Sequence, residues 1–312
     1  MLMTKSRYEI PNFQIATLPQ RHKNEYPFYL VFIKWAFGAF GRIFPKAAAK
    51  AAFRIFTTPR SRAVHRQTDK IIESVHKFEL DYGKTKLQCY EWGIGEHIVL
   101  LVHGWESRGT ALRGFVPGLL AQGFRVVTFD GPAHGDSGGQ RTNLPEFAGA
   151  VKTVLQHIGA VHGIITHSFG GSTTSFALAH LDNSISVEKL VLIAVPASTR
   201  KVVADFAKLI NLPNRALQAL KAMIHERLKG LHFHETDLIV SLGKARVGEV
   251  LVVHDKFDPS VPFESAEDIF EKYDHANLLV TQGHGHFLLM KQPEVIRRIL
   301  NFINGSEDGF SS

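Results

Sequence analysis

The sequence of 312 residues holds one cysteine, Cys89. A lone thiol allows no intrachain disulfide, so stability must come from a buried core, and such sparing use suits a reducing compartment. Long apolar runs are also missing. The most apolar stretch, "YPFYLVFIKWAFGAFGRIF", is interrupted by Lys34 and Arg42 before it reaches the roughly 20 residues of a membrane span. The opening "MLMTKSRYEI" has no apolar core of the secretory-leader kind, which leads to the expectation of a cytoplasmic protein. No Gly-x-x-x-x-Gly-Lys-Ser/Thr loop occurs, and "GIGEHI" lacks the third glycine of a dinucleotide fingerprint. There are 17 histidines, yet "HERLK" and "HETDL" both lack the second histidine of His-Glu-x-x-His, and "HFH" at 232–234 is too short a cluster. The reading is therefore of no cofactor and no metal. Internal repeats and low-complexity stretches are absent.

Acidic residues are scarce at one end only. Residues 1–76 carry 13 Lys/Arg against 4 Asp/Glu, a balance of +9, whereas residues 77–312 carry 23 against 25, a balance of −2. The basic charge thus belongs to an extension and not to the body, and no nucleic-acid partner is expected. Within it Arg42, Lys46, Lys50 and Arg54 recur every fourth residue, while Phe44, Ala48, Ala51, Ala52 and Ile55 fall largely opposite. That spacing predicts a basic amphipathic helix ending near "TTPRSR". Two roles are open for residues 26–58: packing the apolar face on the body, or peripheral contact with an anionic membrane on its inner surface.

From about residue 77 the chain alternates between two periods. "KLQCYEWG", "HIVLLVHG", "FRVVTFD", "VHGIITH", "VEKLVLIAV", "GEVLVVHD" and "ANLLVTQG" read as strands. Between them "GTALRGFVPGLLAQG", "LPEFAGAVKTVLQHIG", "FGGSTTSFALAHL" and "ESAEDIFEKY" read as helices, with "QPEVIRRILNFI" last. Regular alternation predicts an α/β fold with a mainly parallel sheet flanked by helices. Residues 198–248 interrupt it with a wholly helical pattern.

In an open parallel sheet the site lies beyond the carboxyl ends of the strands. There the sequence places "HGW" after "HIVLLV", "DGPAHGDSGG" after "VVTF", Ser168 after "GIITH", "DKFDPSVP" after "EVLVVH", and "GHGHF" after "NLLVTQ". Ser168, between an apolar strand and "FGGS", reads as a helix cap or as a nucleophile on a strained turn. A serine, an acid and a histidine follow one another in that chain order, each at a strand end. By these motifs the sequence resembles the α/β-hydrolase superfamily over about residues 75–305. It departs from the family's Gly-x-Ser-x-Gly elbow at the first glycine, which is Thr166.

The resemblance implies a core over 75–197 and 249–306, a helical cap over 198–248, and a basic helical extension over 1–74 outside the likeness. It implies Ser168 as nucleophile, with His286 as base and His284 its competitor. For the acid, "D-x-x-V-P" fits Asp258, leaving Asp255 to close the strand end. The backbone N–H groups of Trp105 and Phe169 would receive the oxyanion, and the Trp105 indole would either wall the acyl pocket or simply pack. His103 and His134 are expected to hydrogen-bond their loops, and His167 to point away from Ser168. Phe206, Leu209, Ile210, Leu217, Leu220, Met223 and Ile224 would line an apolar acyl pocket or glue the cap to the core. The expected activity is that of a serine hydrolase acting on a small-molecule, lipophilic carboxylic ester through an acyl-enzyme. The rivals are a thioesterase or lipid acylhydrolase, and a catalytically silent, membrane-associated binding protein of the same fold. Oligomeric state is left open.

Overall fold

A computed structural model describes residues 5–10, 28–63, 70–180 and 185–306. The chain begins with β1 (Arg7–Glu9), followed by α1 (Phe28–Ile43), α2 (Pro45–Phe56) and a short α3 (Lys70–Glu73). β2 (His76–Tyr82) and β3 (Thr85–Trp92) form a hairpin whose turn uses Gly83 at φ +59°, a region glycine enters freely. Next come β4 (Ile98–Val102), a 3-10 segment over Gly109–Phe115, α4 (Val116–Ala121), β5 (Arg125–Phe129), α5 (Leu144–Ile158), β6 (Val161–His167), α6 (Phe169–Ala179) and β7 (Val187–Ile193). Three helices follow, α7 (Thr199–Leu209), α8 (Asn214–Arg227) and α9 (Leu238–Lys244). The chain closes with β8 (Val247–Asp255), α10 (Glu264–Lys272), β9 (Ala276–Thr281), α11 (Gly285–Leu288) and α12 (Pro293–Asn304).

The strands make one nine-stranded sheet in the order β1-β9-β8-β7-β6-β4-β5-β3-β2. All pairs are parallel except those of β3, which runs antiparallel to β2 and β5. This is the α/β-hydrolase fold, a mainly parallel sheet flanked by helices. All five residues of β4 are buried. Ile98, Leu100 and Val102 join the cluster with Phe147, Val151 and Phe176, and Val99 and Leu101 join the cluster with Phe115, Leu119 and Val295. Helices thus cover both faces, which is why the strand reads as a continuous apolar run.

Three features differ from the expectation. The basic extension is not wholly helical, because β1 adds a strand to the sheet edge, pairing Arg7–Glu9 with Leu278–Val280; three residues are too few to carry a period. The predicted helix "GTALRGFVPGLLAQG" divides into a 3-10 segment and α4 at Val116–Pro117, since proline, lacking an N–H, is best placed in a first turn. The predicted basic helix breaks for the same reason at Pro45: Arg42 lies in the last turn of α1, and Lys46, Lys50 and Arg54 lie exposed on α2. Of its apolar set, Ala48 and Ala52 are buried, but Phe44, Ala51 and Ile55 are exposed.

The apolar stripe of residues 198–248 also has a different partner. Phe206, Ile210, Leu217, Leu220, Met223 and Ile224 pack in a third cluster with Phe37, Ala48, Ala49, Ala52 and Phe53, and Leu209 is exposed. The small alanine face of α2 lets it lie close on α8. In that cluster these residues join the α7–α8 pair to α1 and α2 rather than to the sheet.

Candidate active site

The turn at Ser168 is dictated by the crowding around it. Ser168 has φ +52° and ψ −123°, a strained conformation for a residue with a Cβ. It is held by its own N–H on Ile193 O (2.8 Å) and by its carbonyl, which accepts from Gly171 N (2.9 Å). A Cβ at Gly170 would lie 2.5 Å from His103 O and 2.6 Å from Val102 O, so the end of β4 presses directly on the turn. Thr166 is accommodated because its hydroxyl donates to Val191 O (2.8 Å) and because its neighbour is Gly171, where a Cβ would come within 3.0 Å of Thr166 Oγ1. The atoms such a Cβ would meet first are Val195 Cγ2 and Cγ1, at 2.4 and 2.9 Å, so Gly171 gives room to Val195 as well as to Thr166. Gly170→Ala should destabilise the chain by about 1–3 kcal/mol, the cost of overpacking against backbone that cannot yield. Urea unfolding would reveal it, and an unchanged midpoint would contradict the close approach.

Ser168, His286 and Asp258 come together in one hydrogen-bonded chain. His286 Nε2 is 3.1 Å from Ser168 Oγ, and His286 Nδ1 is 2.7 Å from Asp258 Oδ2. A carboxylate only accepts, so Nδ1 carries the proton and Nε2 is left to receive the serine O–H. The Asp258 side chain is fully buried and His286 nearly so. Burial alone would raise the Asp258 carboxyl. The hydrogen bond from His286 and those from Val261 N (3.0 Å) and Ser260 N (2.7 Å) outweigh it, holding the group below its ordinary value and ionised.

Asp255 sits apart from this chain. It accepts from Phe257 N, Thr281 Oγ1, Gly283 N and His284 N, tying the end of β8 to the loop after β9. His284 contributes its backbone N–H there, and Asp255 closes the strand end as expected from the sequence.

The loop after β4 lies against the elbow. A Cβ at Gly104 would be 3.1 Å from Ser168 Cβ. Trp105 and Phe169, whose N–H groups were singled out, meet edge to face at 5.4 Å between ring centroids. Neither N–H has an acceptor among the described residues. The indole therefore packs on the Phe169 ring, and its other neighbour is His134 at 5.2 Å.

Two buried histidines fix that loop, as the sequence reading expected. His103 donates from Nδ1 to Gly104 O (2.7 Å) and accepts from Gly131 N at Nε2 (2.9 Å); burial, with His134 beside it, pushes its pKa down to about 3. His134 donates from Nδ1 to Pro132 O (2.9 Å) and accepts from Glu106 N at Nε2 (3.0 Å), and burial lowers it too. Both can hold these N–H groups only while neutral.

Three groups take positioning roles that the sequence did not assign. Arg60, just after α2, grips the Glu106 carboxylate through its backbone N (2.8 Å), Nε (2.9 Å) and Nη2 (2.7 Å), and these bonds hold Glu106 below the usual carboxylate range. Asp130 accepts from Gly109 N (2.6 Å), Asp136 N (2.8 Å) and Tyr90 Oη (2.9 Å), joining the loops after β4 and β5. His167 does turn away from Ser168, but onto the His286 carbonyl, to which its Nε2 donates at 2.9 Å. The "DGPAHGDSGG" motif carries Asp130, and the turning away of His167 was expected; nothing local pointed to Arg60 or to the His286 carbonyl as the partner of His167. Among the described residues no three His, Cys, Asp or Glu side chains are grouped to hold a metal ion.

Comparison with known proteins follows the same outline. A model of the alpha/beta hydrolase family matches residues 99–299. Monoglyceride lipase of Rattus norvegicus is 34% identical over 120 residues, covering 33% of this chain and 39% of that protein, so the match spans well under half of the relative's length. An esterase of Pyrococcus furiosus superposes with a TM-score of 0.61 at 19% identity, over 80% of this chain and 98% of its own. A thioesterase domain from the curacin biosynthetic pathway gives a TM-score of 0.55 at 18% identity, over 73% of this chain and 99% of its own. The two structural likenesses are likenesses of fold.

Proposed function

The chain belongs to the alpha/beta hydrolase family, and from that premise we propose that it is a serine hydrolase cleaving a carboxylic ester through an acyl-enzyme. The observation that carries this reading is the unbroken path Ser168 Oγ–His286–Asp258, at 3.1 and 2.7 Å, on a strained and partly exposed elbow. Ser168 Oγ attacks the ester carbonyl carbon as its proton passes to His286 Nε2, and the carbonyl π electrons move onto oxygen. The Trp105 and Phe169 N–H groups receive that oxyanion; fixed backbone donors need no reorganisation, and losing one costs about 3 kcal/mol of barrier. Collapse breaks the C–O bond and the leaving alkoxide takes the proton from His286. Water then loses a proton to the same nitrogen and attacks the acyl carbon; collapse breaks the bond from that carbon to Ser168 Oγ, which takes the proton back from His286 Nε2 as the acid leaves. Asp258 holds the imidazole tautomer and stabilises its charged form throughout.

A lipophilic acyl group is the preferred substrate. Support for it is local: the rings of Trp105 and Phe169 flank the elbow, and Phe287, beside His286, is 54% exposed. Residues 198–248 act as the cap over the 75–197 and 249–306 core, and α1 and α2 of the N-terminal extension brace that cap from outside. The curated relative is named a monoglyceride lipase, which fits an ester of this kind. The same machinery would open a thioester, so acyl esters and thioesters of graded chain length should be compared side by side. The deciding experiment is labelling with a fluorophosphonate: wild type should be modified at Ser168, and Ser168→Ala should stay unmodified. A folded wild type that refuses the probe would reduce the protein to a silent relative of the family.

A further inference from the structure

The chemistry at Ser168 leaves the surface of α1 and α2 unused. The inner face of α1 carries Phe37, Gly38 and Gly41, all buried. A Cβ at Gly38 would stand 2.5 Å from Asn211 Nδ2 and one at Gly41 2.8 Å from Pro213 Cδ, so the glycines let α1 lie directly on the α7–α8 loop. The outer face is the opposite of what a solvated helix presents. Val31, Phe32, Trp35, Phe40 and Ile43 are 52, 63, 68, 56 and 70% exposed. At about 100° per residue they share one half of the helix circumference, with Arg42 as the single charge among them. Phe44 extends the patch, its ring 4.8 Å from that of Phe40. Alongside, α2 exposes Lys46, Lys50 and Arg54 on one face. Residues 28–56 contain no Asp or Glu, and Arg42, Lys46, Lys50 and Arg54 make no ion pair with any described residue.

We propose that α1 and α2 dock on an anionic lipid bilayer, the outward aromatic half of α1 entering the headgroup region and the basic row of α2 meeting the phosphates. Charge selects this occupant. A second copy of the same face would set cation against cation, whereas a lipid surface offers anions beside an apolar interior. The contact lies on the bilayer and does not cross it, because α1 has 16 residues and no helix among the described residues is long and apolar enough to span. The docking surface stands independently of the proposed hydrolysis.

Flotation of the full chain tests it, using vesicles of phosphatidylcholine alone or mixed in equal parts with phosphatidylglycerol. Wild type should float with the mixed vesicles and roughly ten-fold less with phosphatidylcholine. Phe32→Ser/Trp35→Ser and Lys46→Glu/Lys50→Glu, all at exposed positions, should each lose most of the flotation while keeping wild-type hydrolysis of a soluble short-chain ester. Fluorophosphonate labelling reads the Ser168 chemistry separately, so failure of one reading is not failure of the other. Wild type left at the bottom of the gradient with both vesicles would overturn the proposal, and so would variants that float like wild type. Gel filtration showing a dimer that the same substitutions dissolve, without flotation, would hand the face to a second copy.

Discussion

Ser168→Ala should lower kcat on an activated ester by about six orders of magnitude, and adding His286→Ala should lower it little further. The two side chains form one proton path, with 3.1 Å between Ser168 Oγ and His286 Nε2, so once either is gone the other has nothing to transfer. Asp258→Asn should cost about 10⁴-fold while leaving the fold intact. An asparagine amide can donate to His286 Nδ1 where the carboxylate only accepts, which turns the proton to Nε2 and blocks attack. Its surroundings favour a charge, since Ser260 N and Val261 N both donate to Asp258 Oδ1. A residual rate above that of water should survive in every variant, because the Trp105 and Phe169 N–H groups are backbone atoms. Steady-state kinetics of the single and double variants decide the matter; costs that simply multiply would mean that the side chains do not act as a unit.

What the sequence disclosed follows from which forces are local. Buried parallel strands announce themselves by composition, and the sheet puts polar residues at its carboxyl edge, which marked out Ser168; position alone left Asp255 beside Asp258 and His284 beside His286, and only the family resemblance chose between them. Pro45 and Pro117 were also legible as helix starts, and reading through them produced the two misjudged helices. Partners were not legible. The apolar stripe of α7 and α8 gives a face but not what covers it, and α2 claimed it through Ala48, Ala49 and Ala52. β1 is defined only by pairing with residues some 270 positions later. The grip of Arg60 on Glu106 and of His167 on the His286 carbonyl likewise joins distant segments with no periodic trace. The departure from the family's elbow at Thr166 was legible, but not the Val191 carbonyl on which its hydroxyl rests.

The neutral histidines under the site should make the fold acid-labile well above the range where carboxylates titrate. Burial, aided by nearby histidines, pushes His103 down to about 3 and His167 to about 4 from an ordinary 6.5, so between pH 6.5 and 4 the unfolded chain binds protons that the folded chain refuses. Stability is then fully present above pH 6.5 and lost as pH falls toward the folded values. Each group should cost about 2 kcal/mol between pH 7 and pH 5, and the two together about 4 kcal/mol, a large share of the 5–15 kcal/mol typical of a folded domain. His134 and His254, also lowered by burial, add in the same direction. Asp255 and Asp258 are lowered too, but their contribution is lost only below about pH 4, which separates the two classes. Urea midpoints at pH 7 and pH 5 give the slope. His167→Gln, whose amide can still donate to the His286 carbonyl, should flatten it by about 1 kcal/mol per pH unit over this interval. A midpoint that does not move between these two pH values would mean that the histidines take up protons without leaving their partners, and the loop holding the Trp105 N–H would then owe its shape to something other than neutral imidazoles.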